Sequence, residues 1–231
     1  MVDEARSLAA VIDHTLLRPD ATPDQVRALC AEARTWRLAA VCIQPVWVSL
    51  AAHELSGSGV SVATVAGFPL GCCVTRVKVY ESECSLSDGA GEIDMVINLG
   101  ALKAGDWAAV EADIAAVAQA CHQARGICKV IIETGYLSDV EKMEACRRAA
   151  GAGADFVKTS TGFGPGGASA SDVALMRATV GPHVGVKAAG GIRTYETARS
   201  MLLAGANRLG TSASVSIMEG LVRALGRTGT S

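Results

Sequence analysis

The chain has 231 residues, 50% of them hydrophobic and 19% charged, so it can bury a sizeable core. Its net charge is −2, with no basic stripe or Lys/Arg run, which argues against non-specific nucleic-acid binding and docking on an anionic membrane. No apolar run reaches the roughly 18 residues of a membrane span.

Short β-branched runs alternate with alanine-rich stretches along the whole chain. The pattern predicts strands at residues 11–16, 40–43, 60–66, 92–97, 128–133, 155–158, 184–187 and 208–210. It predicts helices between them at 23–36, 46–55, 74–88, 107–125, 137–150, 171–179, 195–203 and 212–225. Capping residues mark helix starts in "TPDQ" at 22, "SDVE" at 138 and "SDV" at 171. Glycines mark helix ends in "GAGAD" at 151 and "AGANR" at 204.

Strands that are apolar on both faces and alternate with helices imply a parallel sheet covered by helices. Eight strand–helix units fit a single (β/α)8 TIM barrel, one domain spanning residues 1–231. The rival is an open doubly wound sheet, which a G-x-G-x-x-G at the first helix would favour. The first strand leads instead into "DHTLLRPDAT".

Cys30, Cys42, Cys84, Cys121, Cys128 and Cys146 lie in apolar or helical contexts without a C-x-x-C pair. The opening Met-Val-Asp-Glu has neither the basic nor the apolar region of a signal peptide. Free thiols in a cytoplasmic protein are therefore expected. His14, His53, His122 and His183 are scattered, so no metal site is expected.

In such a barrel, chemistry sits at the carboxyl ends of the strands. Three charged residues meet that condition. Lys158 ends the sixth strand in "DFVKTS", Lys187 ends the seventh in "VGVKAAGG", and Asp94 lies in the fourth in "GEIDMVIN". A lone strand-end lysine is ordinarily a salt-bridge partner or phosphate anchor, and a lone Asp94 an ordinary structural carboxylate. Two lysines with an aspartate in one mouth change the weighing. Each ammonium destabilises the other and burial penalises both, so one lysine is expected to have a depressed pKa. A neutral lysine is a nucleophile toward carbonyls, and the second lysine can move protons with the aspartate.

Loops after the seventh and eighth strands often hold phosphate in these barrels. "AAGGIRT" at 188 would let the Gly190 and Gly191 backbone approach an anion, with Ser212 donating from the start of the last helix. The glycines could equally serve tight turns. "GFGPGG" at 162 lacks the G-K-[ST] ending of a nucleoside-triphosphate loop.

"DHTLLRPDAT", "VCIQPVWV", "VATVAGFPLG", "EIDMVINLGAL", "KVIIETGYL", "DFVKTSTGFGPGGAS", "VGVKAAGGIRT" and "LGTSAS" resemble, in order, the motifs of the 2-deoxyribose-5-phosphate aldolase family. The resemblance runs from about residue 9 to residue 225. It implies a metal-free, cofactor-free class I aldolase that interconverts 2-deoxy-D-ribose 5-phosphate with D-glyceraldehyde 3-phosphate and acetaldehyde. By resemblance Lys158 is the Schiff-base nucleophile, and Lys187 and Asp94 are the proton-transfer pair. Gly190, Gly191 and Ser212 match phosphate-holding positions, and Thr161 and Asp13 match polar positions lining the site. Partners are then small sugar phosphates and aldehydes, and the resemblance is compatible with a homodimer.

Departures are also legible. Phe163 stands where some relatives carry a lysine, and the ending "RALGRTGTS" has no terminal tyrosine of the kind that aids enamine protonation in some relatives. Cys42 matches a cysteine near the site, open to alkylation by unsaturated aldehydes. The rival functions are a Schiff-base aldolase or transaldolase for another sugar phosphate, a non-catalytic sugar-phosphate-binding barrel, and an isomerase using Glu133 as its base.

Overall fold

The computed structural model describes residues 2–228. Its strands are β1 (Ile12–Leu16), β2 (Ala40–Ile43), β3 (Ser61–Ala66), β4 (Glu92–Val96), β5 (Ile127–Ile131), β6 (Phe156–Lys158), β7 (Gly185–Ala189) and β8 (Arg208–Thr211). All pair in parallel and in sequence order, and β8 returns to β1 to close the barrel. The expected (β/α)8 TIM barrel is the observed fold.

The outer helices are α1 (Val2–Ala9), α2 (Pro23–Trp36), α3 (Val48–Glu54), α4 (Thr75–Ser87), α5 (Leu99–Lys103), α6 (Trp107–Gln123), α7 (Asp139–Gly151), α8 (Ala170–Val180), α9 (Tyr195–Leu203) and α10 (Ser214–Thr228). Helix α2 opens with the capping box read in "TPDQ": the Thr22 amide donates to Gln25 Oε1 at 3.0 Å and Thr22 Oγ1 accepts from the Gln25 amide. Ser138 and Glu141 do the same for α7. Helix α8 departs from expectation. Its cap is Ser169, which accepts from the Asp172 amide at 3.0 Å, so Ser171 lies inside the first turn.

Strand ends also move, most at β5 and β7. β5 stops at Ile131 because Glu133 takes a left-handed φ of 52° and leads into a 3-10 turn over Thr134–Tyr136. β7 continues to Ala189, so Lys187 is inside the strand rather than at its end.

Alternation along each strand sorts side chains to two sides. Outward residues such as Val41, Ile43, Ile93, Met95, Val130, Val157, Val186 and Leu209 join the main core against the helices. Inside the barrel, Ala40, Cys42, Ala63 and Val65 of β2 and β3 form a small apolar cluster with Leu17. The opposite half of the interior is filled by charged side chains. Gly210 belongs to that half for a packing reason: a Cβ there would sit 3.1 Å from Lys187 Cε.

Candidate active site

The site grows from the registers of β4 to β8. Lys158 lies beside Lys187 across the β6–β7 pair, and Asp94 lies beside Lys129 across β4–β5. The side chains meet inside the barrel, as expected for Lys158, Lys187 and Asp94. Asp94 Oδ2 accepts from Lys158 Nζ and from Lys187 Nζ, both at 2.7 Å. Asp94 and Lys187 are fully buried, while Lys158 keeps 3% of its surface exposed.

Beneath this triad lies a layer that sequence reasoning did not select. Lys129 Nζ donates to Asp94 Oδ1 at 2.7 Å and lies 2.6 Å from Glu92 Oε2. Arg208 bonds Glu92 at 2.6 and 2.8 Å, and its Nε reaches Asp13 Oδ1 at 2.6 Å. Asp13 closes the circuit by accepting from Lys187. The available signal was strand parity: Lys129 and Arg208 each hold a charge at an inward position of an otherwise apolar strand.

The network fixes charges. Burial disfavours the Asp94 carboxylate, yet Lys129, Lys158 and Lys187 hold it well below the usual carboxylate range. Burial likewise opposes ionisation of Asp13, but Lys187, Lys129 and Arg208 bring its pKa down to about 2. Lys187 is not the lysine that loses its charge. Burial works against its ammonium, and the adjoining Asp13 and Asp94 carboxylates more than offset that, pushing its pKa up. Lys129 is also pushed up, burial and Lys187 being outweighed by Asp94, Glu92 and Asp13.

Above Lys158 opens a pocket of about 290 Å³. Lys158, Thr161, Gly190, Gly191 and Ser212 line it, so the structure gathers five of the eight expected residues at one surface. Gly190 and Gly191 have φ of 92° and 77°, where a side chain would be strained. A Cβ on Gly190 would also lie 3.0 Å from Gly167 Cα. Arg193, exposed at the end of the same loop, joins the lining and was missed although "AAGGIRT" contains it. Ser212 is exposed and lies two residues before α10, not at its start, because the helix begins at Ser214.

Other placements differ from a simple lining role. Asp13 is fully buried under Lys187 and is not part of the pocket wall. The Thr161 hydroxyl donates to Glu133 and accepts from the Phe163 amide at 3.0 Å. Glu133 also accepts from the Thr161 amide at 3.1 Å, so its carboxylate is engaged in holding the β6–α8 loop, which counts against an isomerase base. Phe163 packs edge-on against Phe68 with ring centroids 5.4 Å apart. Cys42 is fully buried, and burial followed by the Asp94 charge pushes its thiol pKa up, which works against alkylation. Residues 229–231, which bear on the absent terminal tyrosine, lie outside the described residues.

Among the described residues no group of three or more His, Cys, Asp and Glu is arranged to hold a metal ion. No described helix is long and apolar enough to cross a membrane. Chemically, the arrangement offers an amine at the floor of a pocket, a carboxylate bridging it to a second, charged amine, and a glycine-rich loop beside both.

Known proteins share this fold and much of the sequence. Residues 7–222 match the model of the DeoC/LacD family aldolases. A deoxyribose-phosphate aldolase of Lysinibacillus sphaericus is 52% identical over 217 residues, covering 94% of this chain and 97% of that one. One from Bacillus mycoides is 55% identical over 212 residues, covering 92% and 95%. Among solved structures, the tetrameric deoxyribose phosphate aldolase of Aeropyrum pernix superposes with a TM-score of 0.88 at 33% identity, covering 94% of this chain and 92% of that one.

Proposed function

The chain belongs to the DeoC/LacD family of aldolases, and we propose that it cleaves 2-deoxy-D-ribose 5-phosphate reversibly to D-glyceraldehyde 3-phosphate and acetaldehyde through an imine on Lys158. The observation that carries the residue assignment is the shared Asp94 Oδ2, 2.7 Å from both Lys158 Nζ and Lys187 Nζ. One oxygen thus links the amine at the pocket floor to a buried ammonium that holds its proton.

Neutral Lys158 attacks C1 of the open-chain sugar, and the carbinolamine loses water to give an iminium. The Asp94 carboxylate, through a water, takes the proton from the C3 hydroxyl, and the Lys187 ammonium beside it stabilises the charge that develops. The C3–C4 electrons flow into the iminium, releasing glyceraldehyde 3-phosphate and leaving an enamine on Lys158. Protonation of the enamine carbon returns the iminium, and water hydrolyses it to acetaldehyde and free Lys158. Gly190, Gly191 and Ser212 hold the phosphate, with Arg193 supplying the positive charge that Phe163 does not.

We read residues 1–231 as one barrel domain, since the family match spans residues 7–222. The described cysteines are all free thiols, which supports action in the cytoplasm. A homodimer or larger assembly is supported by the tetrameric relative from Aeropyrum pernix.

The test is release of glyceraldehyde 3-phosphate from deoxyribose 5-phosphate, followed through a coupled dehydrogenase. Wild type should turn over, and Lys158→Ala should lose about a thousandfold or more. An active Lys158→Ala would overturn the assignment.

A further inference from the structure

Inside the barrel, Lys129, Lys158, Lys187 and Arg208 meet Asp13, Glu92 and Asp94, four cations against three carboxylates. A buried cluster with one surplus positive charge is costly, and surrendering one proton removes the surplus. The contacts decide which proton leaves. Arg208 is effectively always charged and reaches both Asp13 and Glu92. Lys187 contacts Asp13 and Asp94, and Lys129 contacts Asp94 and Glu92 with Asp13 at 3.9 Å. Lys158 contacts a single carboxylate oxygen and alone among the lysines borders the pocket.

We infer that Lys129 and Glu92, neither of which lines the pocket, are positioning residues that set the pH at which Lys158 becomes nucleophilic, by fixing the surplus charge beneath it. This rests on the imine role proposed for Lys158. Charges reach the cluster from β1 (Asp13), β4 (Glu92 and Asp94), β5 (Lys129), β6 (Lys158), β7 (Lys187) and β8 (Arg208). β2 adds only the Cys42 thiol, whose pKa is raised, and β3 adds no titratable side chain. Glu133, beyond β5, has its carboxylate bonded to Thr161.

Charge counting gives predictions of opposite sign for neighbouring residues. Lys129→Met removes a cation and balances the cluster at three against three. Lys158 then holds its proton more firmly, and the acid limb of the pH–kcat/KM profile moves up by about one to two pH units. Glu92→Gln removes a carboxylate, leaves two surplus cations, and moves the limb down. The double variant Lys129→Met/Glu92→Gln has three cations against two carboxylates. It restores a surplus of one, so its limb returns toward the wild-type position although both side chains' ionic contacts are gone.

The experiment is the rate of borohydride-trapped imine formation with acetaldehyde against pH, on each purified variant with its fold checked by circular dichroism. Opposite single-variant shifts with the double variant near wild type support the inference. Shifts of the same sign, or activity losses with the limb unmoved, overturn it and leave Lys129 a packing residue. If Lys129→Met does not fold, Arg208→Gln removes a cation from the other side and must also move the limb up; if it does not, the inference fails. Absence of any trapped imine on wild type would instead overturn the function on which the inference rests.

Discussion

Asp94 is where the lysines of β5, β6 and β7 converge, and its two oxygens divide the work. Oδ1 is bound by Lys129, leaving Oδ2 to face Lys158 and Lys187. In the proposed mechanism, attack on the carbonyl needs Lys158, whereas bond cleavage also needs a proton acceptor and donor. Lys187→Met should therefore still form a trappable imine while cleaving deoxyribose 5-phosphate about 10²- to 10⁴-fold more slowly. Equal loss of both steps would place Lys187 in imine formation instead. In the glycine-rich loop, Gly190 has a left-handed φ and lies against Gly167. Gly190→Ala should raise KM for deoxyribose 5-phosphate more than for unphosphorylated deoxyribose. A uniform change would indicate distortion of the whole mouth rather than of a phosphate loop.

At the scale of elements, a second buried ion pair stands outside the barrel interior. Lys78 of α4 is fully buried, donates to the Val96 carbonyl at the end of β4 at 2.8 Å, and is paired with Asp113 of α6. Asp113 also accepts from Thr75 at 2.9 Å. Lys78→Met should destabilise the protein by about 3–5 kcal/mol, because it strands a buried carboxylate. Lys78→Met/Asp113→Leu should recover much of that loss in a urea titration; failure to recover would show that the Val96 contact dominates. The sequence conveyed most elements, since α2 and α9 begin and end where periodicity and capping predict. It hid α5, whose five residues are too short to show a helical period. It also hid the end of β5, because nothing local in "KVIIETG" announces the left-handed Glu133.

For the whole molecule, the barrel interior is half apolar and half ionic, and the ionic half couples stability to pH. Asp13 titrates at about 2 in the folded protein against 3.8 for an unperturbed aspartate, and Asp94 is also held low. Below their unfolded values the unfolded chain binds more protons than the folded one, so stability must decline with falling pH. These groups' contribution is fully present above about pH 4 and is lost as the pH falls toward about 2. A thermal midpoint that stays level down to about pH 3 would contradict it. Lys158, Lys187 and Asp94 were legible because barrel topology turns strand position into a spatial address. Lys129, Glu92 and Arg208 were not, since their importance comes from ion pairing between strands up to 195 positions apart in the chain.

The imine proposed on Lys158 can be captured by reductive trapping. Wild type and Lys158→Ala would be incubated with acetaldehyde and borohydride, then weighed intact and mapped by peptide mass. One ethyl group is expected on wild type, located on Lys158, and none on the variant. A folded wild type with no adduct, or with the adduct on Lys129 or Lys187, would contradict it.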